Sequence, residues 1–319
     1  MKLIFNLLAL LFVCVNSLSF AQQDKLLTHF MYDRMSVNPG ETGLDEGICA
    51  TTIYRNQWDK VNGAPNSAVL NVAGNMNRFF PGGVGISFYH DAIGFSRQNN
   101  LLLNYSYPIS LGNVGTLGAG IGVGMMSYAM NPNWIPPQTQ NDPSLPGANF
   151  SAISLDLNFG LFLKGSNYYA GLSSTHLSES EILSTSTFGL DPAGYSTARH
   201  YYIMGGYKMP NVGNGALDFN VMMRTEFVKY SVDINSRYFL KKDGKELGYA
   251  GLTYRTSDAL GIMVGYNAFK NFTAGYSYDL TINKLSSISR GSHEMFVKYC
   301  YYLPIPPKTK AAHPRWLGE

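Results

Sequence analysis

Between residues 114 and 128 the side chains alternate with a period of two, and one of the two faces is almost bare. Leu117, Ala119, Ile121, Val123 and Met125 are apolar, while Gly118, Gly120, Gly122 and Gly124 between them carry no side chain. Period two belongs to a strand, whose successive Cβ atoms point to opposite sides; a helix repeats near 3.6. Each interior glycine costs a strand conformational entropy and packs nothing, so four on one face imply that something approaches that backbone closely. The aliphatic face is then expected against lipid.

The same phase recurs. Ile153, Leu155, Leu157, Phe159, Leu161 and Leu163 alternate with Ser154, Asp156, Asn158 and Gly160, with Phe162 breaking the pattern. Phe272, Ala274, Tyr276, Tyr278 and Leu280 alternate with Thr273, Gly275, Ser277 and Asp279. An apolar outside over a polar inside is the pattern of an outer-membrane barrel. The expected fold is all-β, a transmembrane antiparallel β-barrel of about 14 strands.

Composition decides less. With 45% hydrophobic and 14% charged residues the chain matches a soluble domain as well as a barrel, because alternation averages hydropathy away. The 22 Tyr and 18 Phe suit interfacial girdles, where a ring lies in hydrocarbon and a hydroxyl in water. A net charge of +3 without basic, aromatic-interleaved patches argues against a nucleic-acid partner.

Residues 1–21 carry Lys2, an apolar run from Leu3 to Val15, and small Ser19 and Ala21 at cleavage spacing, which reads as a secretory signal peptide. No later run approaches the roughly 18–20 apolar residues of a membrane helix, so membrane crossing would be by strands. Residues 22–45 lack alternation and are expected to be a periplasmic lead-in or a plug. Candidate plug contacts are Gly118, Gly120, Gly122 and Gly124. The barrel is expected over residues 46–302.

Connections support this layout. Numbered from a periplasmic amino terminus, the longest gaps, near 129–148 and 177–196, follow odd strands, and the even connections are tight, as expected for long outer loops and short periplasmic turns. After Tyr302 the prolines at 304, 306 and 307 exclude a wall strand. Residues 303–319 are expected as a periplasmic Pro-rich, basic tail, with Lys308, Lys310, Arg315 and Trp316 as candidate docking residues. Both termini are thus expected in the periplasm.

Two cysteines follow the signal segment, Cys49 and Cys300. Closing an antiparallel barrel brings first and last strands together, and alternation turns both cysteines inward. They are either a disulfide, which an oxidising periplasm permits, or two small buried thiols.

Several segments resemble the PorP/SprF family of the type IX secretion system in order and spacing. These are Gln22-Gln23-Asp24 leading to Phe30-Met31-Tyr32, Ser36-Val37-Asn38-Pro39-Gly40, Tyr54-Arg55-Asn56-Gln57-Trp58 with Gly63-Ala64-Pro65, Ser292-His293-Glu294, and Pro314-Arg315-Trp316-Leu317. The turn departs from the family's usual Ala-Tyr-Ala-Gly by reading Gly40-Glu41-Thr42-Gly43. The resemblance implies a multi-pass outer-membrane barrel that supports export or surface retention of large cargo such as gliding adhesins. Its partners would be outer-membrane lipid, cargo at extracellular loops, and periplasmic secretion components.

No enzyme chemistry is expected, and no cofactor. The glycines at 118–124 repeat every second residue with no helix following, unlike a dinucleotide loop. No serine sits in a nucleophile elbow beside His176, His200 or His293. Asp142, Glu179, Glu181 and Asp191 lack EF-hand spacing, and no metal site is assigned. The alternative to a secretion role is an outer-membrane channel or transporter for small solutes.

Overall fold

The computed structural model describes residues 24–130, 150–183, 194–269 and 271–302. The expected signal segment, Asp142, Asp191 and the tail with Lys308, Lys310, Arg315 and Trp316 lie outside these residues.

Sixteen strands follow one another as β1 (Ile48–Asn56), β2 (Asn66–Asn75), β3 (Gly83–Ile93), β4 (Ser96–Ser110), β5 (Thr116–Met130), β6 (Phe150–Lys164), β7 (Tyr168–Thr175), β8 (Glu181–Leu183), β9 (Gly194–Ser196), β10 (His200–Val212), β11 (Gly215–Thr225), β12 (Tyr230–Lys242), β13 (Lys245–Arg255), β14 (Ala259–Phe269), β15 (Phe272–Thr281) and β16 (Ser292–Tyr301). Fourteen of them form a closed antiparallel barrel, each beside its chain neighbour. The exception is the short hairpin β8–β9, which stands apart and leaves β7 to pair with β10. Closure comes from β1 against β16, with Ile48 opposite Tyr301 and Asn56 opposite His293.

Alternation decides which side chains face lipid. Ile121, Val123 and Met125 on β5 and Ile153, Leu155 and Phe159 on β6 are exposed outward, while Asp156 is buried inward. Phe162, which breaks the sequence pattern, is buried under Arg34 and Tyr169. Among the described residues no helix is long and apolar enough to cross a membrane. The closed ring of strands leaves no open sheet edge in the wall, as an apolar solvent demands.

The two ends differ. Connections 76–82, 111–115, 165–167, 213–214 and 243–244 lie at one end, here the turn end; 57–65, 94–95, 226–229, 256–258 and 282–291 lie at the other, here the loop end, where β5 and β7 also finish and β6 and β10 begin.

Residues 24–45 fill the lumen as one helical turn, Arg34–Val37, flanked by 3₁₀ turns at Phe30–Tyr32 and Pro39–Glu41. The buried core of the molecule is the contact of Leu27, Phe30, Met31 and Val37 with inward residues such as Ile53, Val69, Tyr202, Met263 and Phe296. The segment runs the length of the lumen before β1 begins. Asp24 receives a hydrogen bond from Tyr202 and lines a small cavity with Glu226 and Lys229 at the loop end, whereas Asp45 meets Lys164 and Lys298 at the turn end. The described chain thus begins at the loop end and finishes, at Tyr302, at the turn end.

Candidate functional site

The site is the contact between plug and wall, built at three levels. Nearest the loop end, Glu294 on β16 accepts hydrogen bonds from the backbone N–H of Thr28 (2.8 Å) and of His29 (2.6 Å), and its Oε1 lies 2.8 Å from His29 Nδ1. Arg55 on β1 donates through Nη1 to Thr28 Oγ1 (3.0 Å) and pairs with Glu294 (3.1 Å) and Asp279 (2.8 Å). Thr28 donates in turn to Asp279 (2.6 Å). All five residues are buried, so the charges have little water to fall back on, and their stability depends on these partners.

At mid-height aromatic rings take over. Tyr32 stacks on Phe296 with centroids 4.1 Å apart, and its hydroxyl accepts from Arg237 Nη1 at 2.9 Å. Arg237 is itself paired with Asp218 and lies 5.0 Å from the Tyr249 ring. Arg34 sits 4.7 Å over Tyr169 and pairs with Glu41 at 3.0 Å. Asn71 donates to Asp33 at 2.5 Å, and Lys25 lies 3.4 Å from the same carboxylate.

Towards the turn end the contact becomes backbone on backbone. Asn38 donates to the carbonyls of Leu161 and Leu172, and Ser106 donates to Gly40 O at 2.9 Å. A Cβ on Gly40 would lie 2.7 Å from Gly118 O and 2.8 Å from Gly160 O. A Cβ on Gly120 would strike the backbone of Pro39 and Gly40. Gly122 and Gly124, expected among the plug contacts, are corrected: a Cβ at Gly122 meets the Asn104 amide at 2.5 Å, and one at Gly124 meets Leu101 backbone. Those two meet neighbouring wall residues and not the plug, whose backbone lies against Gly118 and Gly120.

The ends are charged. Burial would raise the Asp45 carboxyl, but Lys298, Lys164 and Arg34 outweigh it and hold the group well below its ordinary value. At the other mouth burial opposes Lys25, His176 and His200, which with the Tyr202 hydrogen bond hold Asp24 low as well. His176, beyond the end of β7, is moved upward, the Asp156 hydrogen bond overcoming desolvation.

Cys49 and Cys300 are register partners across the β1–β16 closure and are joined by a disulfide, with Cα atoms 4.0 Å apart. His293 faces outward and bonds Tyr276, away from His176 and His200, whose rings are 6.0 Å apart. Glu179 pairs with Arg199, and no metal-holding cluster occurs among the described residues. The grip of Arg55, Asp279 and Glu294 on Thr28 and His29 escapes sequence reasoning. Its one sequence signal is that inward parity puts charged residues at 55, 279 and 294 where a barrel lumen admits them.

Set beside known proteins, this plugged barrel is matched by the family model described as type IX secretion system membrane protein PorP/SprF, over residues 19–299. The chain belongs to the PorP/SprF family. It is a membrane component of the type IX secretion system by that membership, and the barrel places it in the outer membrane. Comparison with curated proteins returns no sequence match. Among solved structures the PorP/SprF chain resembles the CymD monoaromatic hydrocarbon channel at 11% identity and TM-score 0.50, covering 85% of this chain and 93% of that one. It also resembles the Ralstonia pickettii toluene transporter TbuX at 12% identity and TM-score 0.53, covering 86% and 94%. At such identity these likenesses speak for the barrel fold alone.

Proposed function

We propose that this PorP/SprF protein is a closed outer-membrane anchor and adaptor rather than a pore or an enzyme. Large secreted or surface-attached cargo would be held at its loop end and periplasmic secretion components at its turn end. The observation that carries this reading is the filled lumen. Three cavities lined by plug residues measure about 10 to 50 Å³, room for a water molecule or a few, and residues 24–45 are hydrogen-bonded from one mouth to the other.

Short turns inside and long loops outside are the rule for such barrels, so the turn end is assigned to the periplasm. Residues 303–319 would then start in the periplasm, where Lys308, Lys310, Arg315 and Trp316 are available for docking. The segment around Asp24 would lie at the cell surface.

Planar-bilayer recording tests the closed state: the reading requires no sustained conductance from the wild type, and steady small-solute flux would sink it in favour of a channel. A short epitope placed between Ala21 and Gln22 tests orientation. Labelling on intact cells is expected, and labelling only after outer-membrane lysis would reverse the assignment. Truncation after Tyr302 should leave insertion intact and abolish co-purification with periplasmic secretion components.

A further inference from the structure

One cavity lies outside the lumen. It is a cleft of about 360 Å³ on the outside of the barrel at the loop end, lined by Asn56, Trp58, Asp59, Lys60, Asn66 and Arg97 among others. That volume falls in the range of small-molecule sites.

Its position follows from the strand register. Thr52, Leu70, Phe88 and Leu101 are aligned across β1 to β4 as one outward row, and the last three are exposed apolar side chains. Two residues nearer the loop end the row reads Tyr54, Ala68, His90 and Asn99; two further on it reads Asn56, Asn66, Ala92 and Arg97. The outer wall therefore passes from hydrocarbon-like to polar within two outward rows, each step about 7 Å. A surface with that gradient matches the boundary between acyl chains and headgroups, where tyrosine and tryptophan also concentrate. The cleft opens on the polar row, two outward rows beyond the apolar one.

The cleft is held in shape by strained backbone. Trp58 (φ 52°) and Lys60 (φ 73°) are non-glycine residues in the left-handed region, a conformation that persists only where the surroundings impose it. Here the imposition is visible. Trp58 N–H donates to Ser292 Oγ (3.1 Å), Asp59 N–H to Gly291 O (2.7 Å), and Arg290 N–H to Asp59 O (2.9 Å), tying the 57–65 connection to the 282–291 connection across the closure.

Charge selects the occupant. Lys60 and Arg97 outnumber Asp59, so the lining favours an anion. Arg97 is pinned by Nη1 to the carbonyls of Gly94 and Ser96, and Lys60 forms no ion pair among the described residues. Amides at Asn56 and Asn66 can donate to and accept from hydroxyl groups, and Trp58 offers a ring on which a sugar or glycerol face can lie.

We propose that this cleft binds the anionic, hydroxyl-bearing headgroup of a membrane lipid, with the acyl chains lying along the Leu70–Phe88–Leu101 row. The site does not depend on the secretion role; the proposed orientation decides only that the lipid belongs to the outer leaflet.

Native mass spectrometry of the full chain in detergent tests this, with diphosphorylated lipid A, phosphatidylglycerol, phosphatidylcholine and inorganic phosphate as separate probes. Both anionic lipids should stay bound in preference to phosphatidylcholine, and Lys60→Ser with Arg97→Ser should weaken their retention about thirtyfold, as two surface cations predict. Lys241→Ser with Lys242→Ser, at the opposite end, should change nothing. Unheated gel mobility reports that each variant remains a folded barrel. Equal retention by the Lys60/Arg97 variant, equal loss in the turn-end control, no preference over phosphatidylcholine, or occupancy by inorganic phosphate without lipid would each overturn the proposal.

Discussion

Arg55 and Glu294 are register partners at the closure of the barrel, and both reach inward to the same plug residue, Thr28. The closing strands and the plug are therefore one hydrogen-bonded unit. Glu294 cannot be removed without leaving Arg55 and two plug N–H groups short of an acceptor. Breaking a buried pair from one side costs about 3–5 kcal/mol. Glu294→Ala is expected to free residues 24–33 while the wall survives, seen as lost hydrogen-exchange protection there and as intermittent conductance in bilayers. Arg55→Ala should act in the same direction. Wild-type protection in both variants would show that the plug is held elsewhere.

The Gly118 and Gly120 backbones set the second test. Their absent side chains leave the plug chain in backbone contact with β5, so a methyl group there must displace Pro39 and Gly40 rather than a flexible side-chain tip. Overpacking of this kind typically costs 1–3 kcal/mol. Gly118→Ala with Gly120→Ala should expose residues 36–43 to protease. Gly122→Ala should not, since the Asn104 amide and, slightly, Asn158 have to give way and no plug atom does. Equal protection in both variants would remove the glycine face as the seat of the plug.

The contrast between those glycines shows what was legible beforehand. Alternation at 114–128, 153–163 and 272–280 carried the barrel, its outward faces and the inward placement of Asp156, because period two is a local property of the chain. Residues 24–45 have no such period. Their position is set by contacts as distant in sequence as Thr28 to Glu294, 266 residues apart, so neither their direction through the lumen nor their exit from the glycine face after Gly120 could be read. The hairpin Glu181–Leu183 with Gly194–Ser196 escaped for a related reason: three-residue strands show no alternation to count.

Asp45 gives the turn end a pH dependence. Its carboxyl is held below the ordinary value of 3.8, so the charged form is favoured when the plug is docked. That stabilisation is complete above the ordinary value and is lost as pH falls below it toward the lowered one. The side chain is 36% exposed, so solvent screens its pairs with Lys164 and Lys298 and the loss is partial. Hydrogen exchange at residues 43–47, corrected for intrinsic rates, should be unchanged between pH 5 and 8 and faster at pH 3. Asp45→Asn should abolish that difference; a response that survives the substitution would assign it to another group.

The disulfide between Cys49 and Cys300 ties the two closing strands at the turn end, two residues after Gly47 passes the chain from plug to wall, Ile48 between them beginning β1. Nine register pairs from Ile48 to Asn56 already hold this seam, so the bond is not needed for closure. Its larger effect is on the unfolded chain, where it closes a loop spanning 251 residues, worth about 5 kcal/mol in the chain-entropy account. Cys49→Ser with Cys300→Ser should therefore still insert and migrate as a folded barrel on unheated gels. Its unfolding temperature should fall by on the order of 10 °C, a shift of about 2 °C per kcal/mol being usual for chains of this size. Non-reducing peptide mapping of protein from native membrane must recover the two cysteines linked. Full alkylation of both without reductant would mean that the seam is held by its ladder alone, and an unchanged transition in the double variant would show that the bond adds nothing to stability.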